Sequence, residues 1–423
     1  MTDVVGVGVA PQRAGAPASP QSPRPAERTV DLLPVLGAVP AGLEGRFLLI
    51  GPEPRFGGDR AEVPVRHGAA MVHEVRIAGG RADYRSRWIS DDGPDAPNAG
   101  LITHVGRLLA LGAHTPPVRL DDSLVPMGDD AVGATGGSGA HAHVDPVWDE
   151  LVLVDAVPGE RRLVVTTVDV RGRVRRVAEV PTDAPLLVHD FAITDQYVVI
   201  AAGHVEGDAR TPARIGLIAR SGEGGTATWL DISPRVVPHL VNAYERDGAV
   251  VIDHIAMRPT IAGTAGAGPL QGAPVLARAV VDPASGVIRD EVLDDRAVAC
   301  PAIDPARTGR RHRIVYAALV DPRAVVPTGG YVGLVRHDRR DGSSVEFLPA
   351  DAASIGPPVF ARRVDGTGED DGWVLAVAAD RSTGVGRLLV LGPRNFSAAP
   401  VAEIVLPTPV PVDAPAHWTP LAP

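Results

Sequence analysis

The chain is punctuated throughout, and that punctuation limits what it can fold into. From Arg46 onward short apolar runs alternate with breaks of Gly, Pro or Asp, and 47 glycines and 41 prolines are spread over 423 residues. The runs Arg46–Ile50, Leu151–Asp155, Leu163–Val168, Tyr197–Ile200, Ala249–Ile255, Arg313–Val320, Trp373–Ala378 and Leu388–Leu391 are mostly β-branched or leucine-rich. Such runs read as strands. Roughly twenty of them recur at spacings of about 8 to 20 residues, with almost no long helical periodicity. Many short strands with regular turn signals predict a sandwich, a barrel or a propeller, and composition leaves the three open.

Closed β architectures absorb this length as one unit. Hydrophobic residues make up 45% of the chain, enough for a large core. Residues 1–28 are rich in Pro, Ala, Ser and Gly and lack periodicity. They are expected to form a disordered arm, leaving 29–423 as the folded unit. The net charge of -10 argues against a nucleic-acid partner, because no basic field is there to hold phosphates. Every basic residue is an arginine. The single cysteine, Cys300, rules out an internal disulfide framework and points to the cytoplasm. No signal-peptide pattern and no long apolar run stand out.

Three histidines stand in distinctive phrases: His141 in Ala-His-Ala-His-Val-Asp-Pro, His189 in Val-His-Asp-Phe-Ala-Ile-Thr, and His239 in Pro-His-Leu-Val-Asn-Ala-Tyr-Glu. They lie about fifty residues apart, one per supersecondary unit. Imidazole is the commonest metal ligand. Histidines recurring once per unit of a closed fold can converge on its axis. Two other readings are weaker. His141 to Asp145 matches the start of a zinc hydrolase motif, but Pro146 stands where that motif needs another ligand. No Gly-x-Ser-x-Gly elbow is present for a serine hydrolase.

Further phrases accompany the histidines in a fixed order. They are Leu-Glu-Gly-Arg-Phe from Leu43, Ala-Met-Val-His-Glu-Val-Arg from Ala70, Gly-Arg-Leu-Leu-Ala-Leu from Gly106, Asn-Ala-Tyr-Glu from Asn242, Glu-Asp-Asp-Gly-Trp-Val-Leu from Glu369 and Leu-Pro at Leu406. Together they resemble the carotenoid cleavage oxygenases, which include apocarotenoid- and stilbene-cleaving enzymes. The resemblance runs from about Leu43 to the C-terminus. It implies an all-β fold, a seven-bladed β-propeller with a loop and short-helix cap over an axial metal site. The Gly-rich segments 131–140 and 260–272 are candidates for that cap. It also implies Fe(II) as cofactor, with His141 chosen over His143, and with His189 and His239 as ligands.

The fourth ligand departs from the family. Its Pro-x-Gly-Phe-His-Gly-x-Trp phrase is matched by Pro411 to Trp418, where Pro415 takes the histidine's place and His417 follows two residues later. His417 completes the site only if the segment slips. Glutamates that orient the ligands in the family are matched by Ala113, Ala299 and Pro357, none of which can accept a side-chain hydrogen bond.

The resemblance implies a dioxygenase that uses O2 to cleave a carbon–carbon double bond of a conjugated apolar substrate, an apocarotenoid, stilbene or phenylpropene. With Phe 6, Tyr 5 and Trp 5, the scarcity of flat aromatic walls favours a smaller or less planar substrate than a full-length carotenoid. Peripheral membrane contact is a further expectation by resemblance. The alternative is a diverged propeller with weak or no metal binding that holds a hydrophobic ligand or performs redox-neutral chemistry. A purely structural propeller would show similarity between blades, and none is evident.

Overall fold

The computed structural model describes residues 26–53, 69–90, 96–112, 115–130, 142–156, 160–183, 186–204, 214–221, 225–232, 236–257, 273–321, 331–380 and 382–421. Among them the strands form seven separate antiparallel sheets, the blades of a propeller. No α-helix occurs among the described residues. The only helical turns among the described residues are the 3₁₀ segments Pro305–Arg307 and Pro393–Asn395.

Blade 1 joins the two ends of the chain. Its strands run, from the axis outward, Ala416–Pro420, Gly45–Glu53, Ala69–Ala78 and Arg81–Trp88, with Arg28–Val30 at the outer edge. Blades 2 to 6 are four-stranded and begin at the axis with Gly100–His104, Ala142–Asp145, Leu186–Ile193, Val236–Arg246 and Val298–Ala302. In blade 7 the axial strand is broken in two. Ala352–Ile355 and Val359–Arg362 both pair with Gly372–Asp380, interrupted by Gly356, Pro357 and Pro358. Proline donates no ladder bond, so the pairing stops there. Val35–Gly37 caps the outer edge of this blade.

The axial strands pack on one another in a ring. Ala416–Pro420 lies on Gly100–His104, and contact passes through the first strands of blades 3, 4 and 5 to Val298–Ala302. Val359–Arg362 returns it to Ala416–Pro420. Alternating side chains put one face of each blade against the next, so the core is divided among the seven junctions. Leu109, Leu111, Leu151, Leu153 and Val168 fill the junction of blades 2 and 3. Phe47, Tyr84, Trp373, Leu388 and Trp418 belong to the larger junction of blades 7 and 1.

Closure depends on a close approach. Phe47 pairs with Trp418 and Gly45 with Pro420. A Cβ on Gly45 would lie 2.3 Å from the Trp418 ring and 2.6 Å from the Thr419 carbonyl. The glycine of the Leu-Glu-Gly-Arg-Phe phrase therefore makes room for the indole that seals the ring. The propeller architecture anticipated from the phrases is the one observed. The segments 131–140 and 260–272 assigned to a cap lie outside the described residues.

Candidate metal centre

The four histidine positions come from four different blades, and each is on or next to an axial strand. His141 lies outside the described residues and directly precedes Ala142–Asp145 of blade 3. His189 is in Leu186–Ile193 of blade 4, His239 in Val236–Arg246 of blade 5, and His417 in Ala416–Pro420 of blade 1.

Two of these positions coincide with breaks in the ladder. Val188 pairs with Ala202 and Asp190 with Ala201, which leaves His189 as the extra residue. His239 pairs with Ile255 between two register shifts, one after Val236 and one between Leu240 and Asn242. A bulge bends a strand and re-aims the side chain beside it. The His239 side chain is 32% exposed, while Val237 and Leu240 on either side are buried.

His417 makes its contact with blade 2. It pairs with Leu48, and its Nε2 lies 3.2 Å from Thr103 Oγ1 on the axial strand of blade 2. Desolvation pushes its imidazole down to about 4, so it is neutral at neutral pH. Pro415, the residue aligned with the family's ligand, is exposed, and its carbonyl accepts the Ile50 N–H. Among the described residues no three His, Cys, Asp or Glu side chains converge to hold a metal. His141 and the side chain of His189 stand outside that set. The donors that are described, imidazoles on strands lining the axis, suit a borderline divalent metal.

The other histidines whose side chains are described have protein partners. His143 Nε2 lies 2.8 Å from the Phe191 carbonyl, with the imidazole edge-on to the Phe191 ring, so this residue ties blade 3 to blade 4. His73 Nδ1 meets Tyr84 Oη at 2.7 Å. His312 Nε2 is 3.0 Å from Asp253, and His337 Nδ1 is 2.8 Å from Ser344 Oγ.

The other halves of the phrases, which sequence reasoning left without a role, join the blades. Asp145 is fully buried and accepts from Arg220 Nη1 at 2.7 Å, across blades 3 and 4. Glu245 accepts from Thr194 Oγ1 and from the Gln196 N–H, across blades 4 and 5. Asn242 Nδ2 donates to the Arg307 and Arg310 carbonyls, and its Oδ1 accepts from the Gly309 N–H. Glu369 accepts the Arg313 and Ile314 N–H groups, across blades 6 and 7.

The segment held by Asn242 crosses the end of the axis. Arg310 reaches Asp195 of blade 4 at 2.6 Å and Asp145 of blade 3 at 3.7 Å. It thereby links blade 6 to blades 3 and 4 on the face where the axial strands end. The strand ends flanking 131–141 and 258–272 lie at the opposite face. Of the glutamate counterparts, Ala299 is on the axial strand of blade 6 and Pro357 in the break of blade 7, while Ala113 lies outside the described residues.

Comparison with known proteins supplies the identity. The chain is 28% identical to a carotenoid cleavage oxygenase of Mycobacterium tuberculosis, over 94% of this chain and 96% of that protein. It is 26% identical to a resveratrol cleavage oxygenase of Aspergillus fumigatus, over 90% of each. Its fold superimposes on the lignostilbene dioxygenase of Pseudomonas brassicacearum with a TM-score of 0.86 at 22% identity, covering 96% of this chain and all of that one (100%). For a cobalt-substituted Synechocystis enzyme the TM-score is 0.81 at 21% identity, covering 94% and 97%. The family model described as retinal pigment epithelial membrane protein matches residues 22–96 and 91–420. The ordered phrases, the seven blades and this near full-length match place the chain in the retinal pigment epithelial membrane protein family, to which the carotenoid cleavage oxygenases belong.

Proposed function

We propose that this oxygenase is a non-haem iron(II) enzyme that uses O2 to cleave a carbon–carbon double bond of a small conjugated apolar substrate, of the stilbene, phenylpropene or apocarotenoid type. One observation carries the reading. Three histidine positions, His189, His239 and His417, lie on the axial strands of three blades, and His141 directly precedes a fourth in the sequence, in a chain whose relatives are named for carotenoid and resveratrol cleavage. His141, His189 and His239 would hold the metal. Bound iron(II) supplies a redox-active centre whose open positions admit O2.

The chain's own work is to orient these imidazoles, to hold the double bond beside them and to exclude water. The bulges at His189 and around His239 serve the first task. The crossing segment at Arg310 serves the last, and leaves the opposite face for substrate entry. His417 is engaged by Thr103, which favours three histidines with the fourth position left to water or substrate. Every described phenylalanine is buried in a blade junction: Phe47, Phe191, Phe347, Phe360 and Phe396. The axis thus lacks phenylalanine walls among the described residues, which supports a compact substrate.

Peripheral contact with a membrane would suit an apolar substrate. Among the described residues no helix is long and apolar enough to cross a membrane. A cytoplasmic location fits the lone thiol of Cys300.

The test is iron stoichiometry of protein made in iron-replete cells, with O2-dependent formation of two carbonyl products from resveratrol and from an apocarotenal. One iron per chain with cleavage of either substrate bears the proposal out. Iron-replete protein that cleaves neither sinks the substrate assignment. A second reading has its own support, because neither Ala299 nor Pro357 can orient a ligand imidazole. It describes a diverged propeller that binds an apolar ligand without iron. Iron-free protein whose melting is unmoved by added Fe(II) would favour it.

A further inference from the structure

Asp190 follows His189 directly and is 6% exposed. Its Oδ1 accepts the N–H of Phe191 at 2.8 Å, on its own strand. Its Oδ2 accepts the N–H of Leu240 at 2.9 Å, on the axial strand of blade 5. Leu240 directly follows His239, and the same Oδ2 is 3.9 Å from His239 Nδ1. One carboxylate thus sits between two interrupted ladders: it belongs to the residue after His189 and holds the residue after His239. The separation from Nδ1 exceeds a hydrogen bond but keeps the carboxylate beside that ring nitrogen.

We propose that Asp190 is a positioning residue for the metal centre. It locks the bulges of blades 4 and 5 together and keeps the proton of His239 on Nδ1, so that Nε2 presents its lone pair to the metal. This rests on the metal-site reading above. The chemistry favours it on two counts. A carboxylate beside one ring nitrogen fixes the tautomer and raises the basicity of the other. The glutamate counterparts Ala299 and Pro357 cannot supply that carboxylate, whereas Asp190 stands against the ring it would serve.

Two measurements on the full-length chain test it. The first uses metal-free, ¹⁵N-histidine-labelled wild type at about pH 8, where imidazole is neutral. Long-range ¹H–¹⁵N correlations read the His239 tautomer, with its signal assigned by loss in His239→Gln. The expected tautomer is Nδ1–H, and Nε2–H overturns the proposal. The second titrates Co(II) into wild type and Asp190→Asn. The variant should bind Co(II) about 10- to 100-fold more weakly, with displaced visible bands. Its metal-free melting temperature should fall by only a few degrees, since Asn can still accept one backbone N–H.

Unchanged Co(II) affinity and spectrum in a folded Asp190→Asn protein would also overturn the proposal. A merely structural role would lower the melting temperature without moving the cobalt bands. If Asp190→Asn does not fold, the wild-type tautomer decides. If wild type takes up no Co(II), the metal-site reading fails, and the tautomer still decides whether Asp190 directs His239.

Discussion

Asp145, Thr194, Asn242 and Glu245 stand in the same short phrases as the histidines, and Glu369 in a phrase of its own, yet they act between blades. Their roles could not be read from the chain, because each partner is remote in sequence. Asp145 and Arg220, for example, are 75 residues apart. The histidine phrases were legible because each is a local run of residues, and the structure sets His189, His239 and His417 on axial strands. A buried ion pair needs two residues, and only the fold reveals the second. The same division predicts how substitutions sort. His189→Ala and His239→Ala should abolish iron retention, whereas His143→Ala should keep the metal and lose about 1 kcal/mol of stability with its Phe191 contact. His417→Ala should leave iron content nearly unchanged, and Pro415→His should tighten binding. Metal analysis and thermal melts of the five proteins (wild type and four single variants, with Pro415→His as a sixth sample) check this, and a large iron loss in His417→Ala would reverse the reading of the fourth position.

Also at the residue scale, His73 gives a pH signature away from the axis. Burial pushes its imidazole from 6.5 down to about 4. Between those values the unfolded chain binds a proton that the folded chain refuses. Stability from this residue is therefore complete above the unfolded value and falls as pH drops through the window, by about 3 kcal/mol at most. Chemical denaturation across that range should show a shallower slope in His73→Gln than in wild type.

Among elements, the long apolar strands were plain in the sequence. Tyr197–Ile200 and Leu388–Leu391 lie inside the observed strands Tyr197–His204 and Gly386–Leu391. The hidden ones lack that signal. Pro126–Asp129 is exposed along its whole length and has no apolar alternation, and Val35–Gly37 is only three residues long. Such edge strands are held by their neighbours' ladders rather than by their own burial. Two element-scale outcomes follow. Gly45→Ala should cost about 3 kcal/mol, because its Cβ has no room against Trp418 and the Thr419 carbonyl. Asn242→Ala removes the partner of the Gly309 N–H and of two carbonyls, and should cost about 1–3 kcal/mol. Limited proteolysis of Asn242→Ala should cut first near Arg310.

For the whole molecule, stability is spread over seven junctions rather than one core. The junction of blades 2 and 3 holds fewer buried residues than that of blades 7 and 1. Leu109→Ala there should cost about 2–5 kcal/mol. If the ring acts as one cooperative unit, denaturant unfolding followed by tryptophan fluorescence and by circular dichroism should move together. Separate transitions would mean that the blades melt independently.

Blade 1 carries a consequence for how the molecule is made. Its strands come from both ends of the described chain: Gly45–Glu53 is synthesised before the other six blades, and Ala416–Pro420 after all of them. During translation the growing polypeptide is an open arc with an unfilled ladder on Gly45–Glu53. The axis becomes an enclosed space only when that ladder is filled. Delivery of the proposed iron would therefore belong after synthesis of the ring, and a ribosome stalled between blade 7 and Ala416 would hold a chain with most of its blades but an unclosed ring.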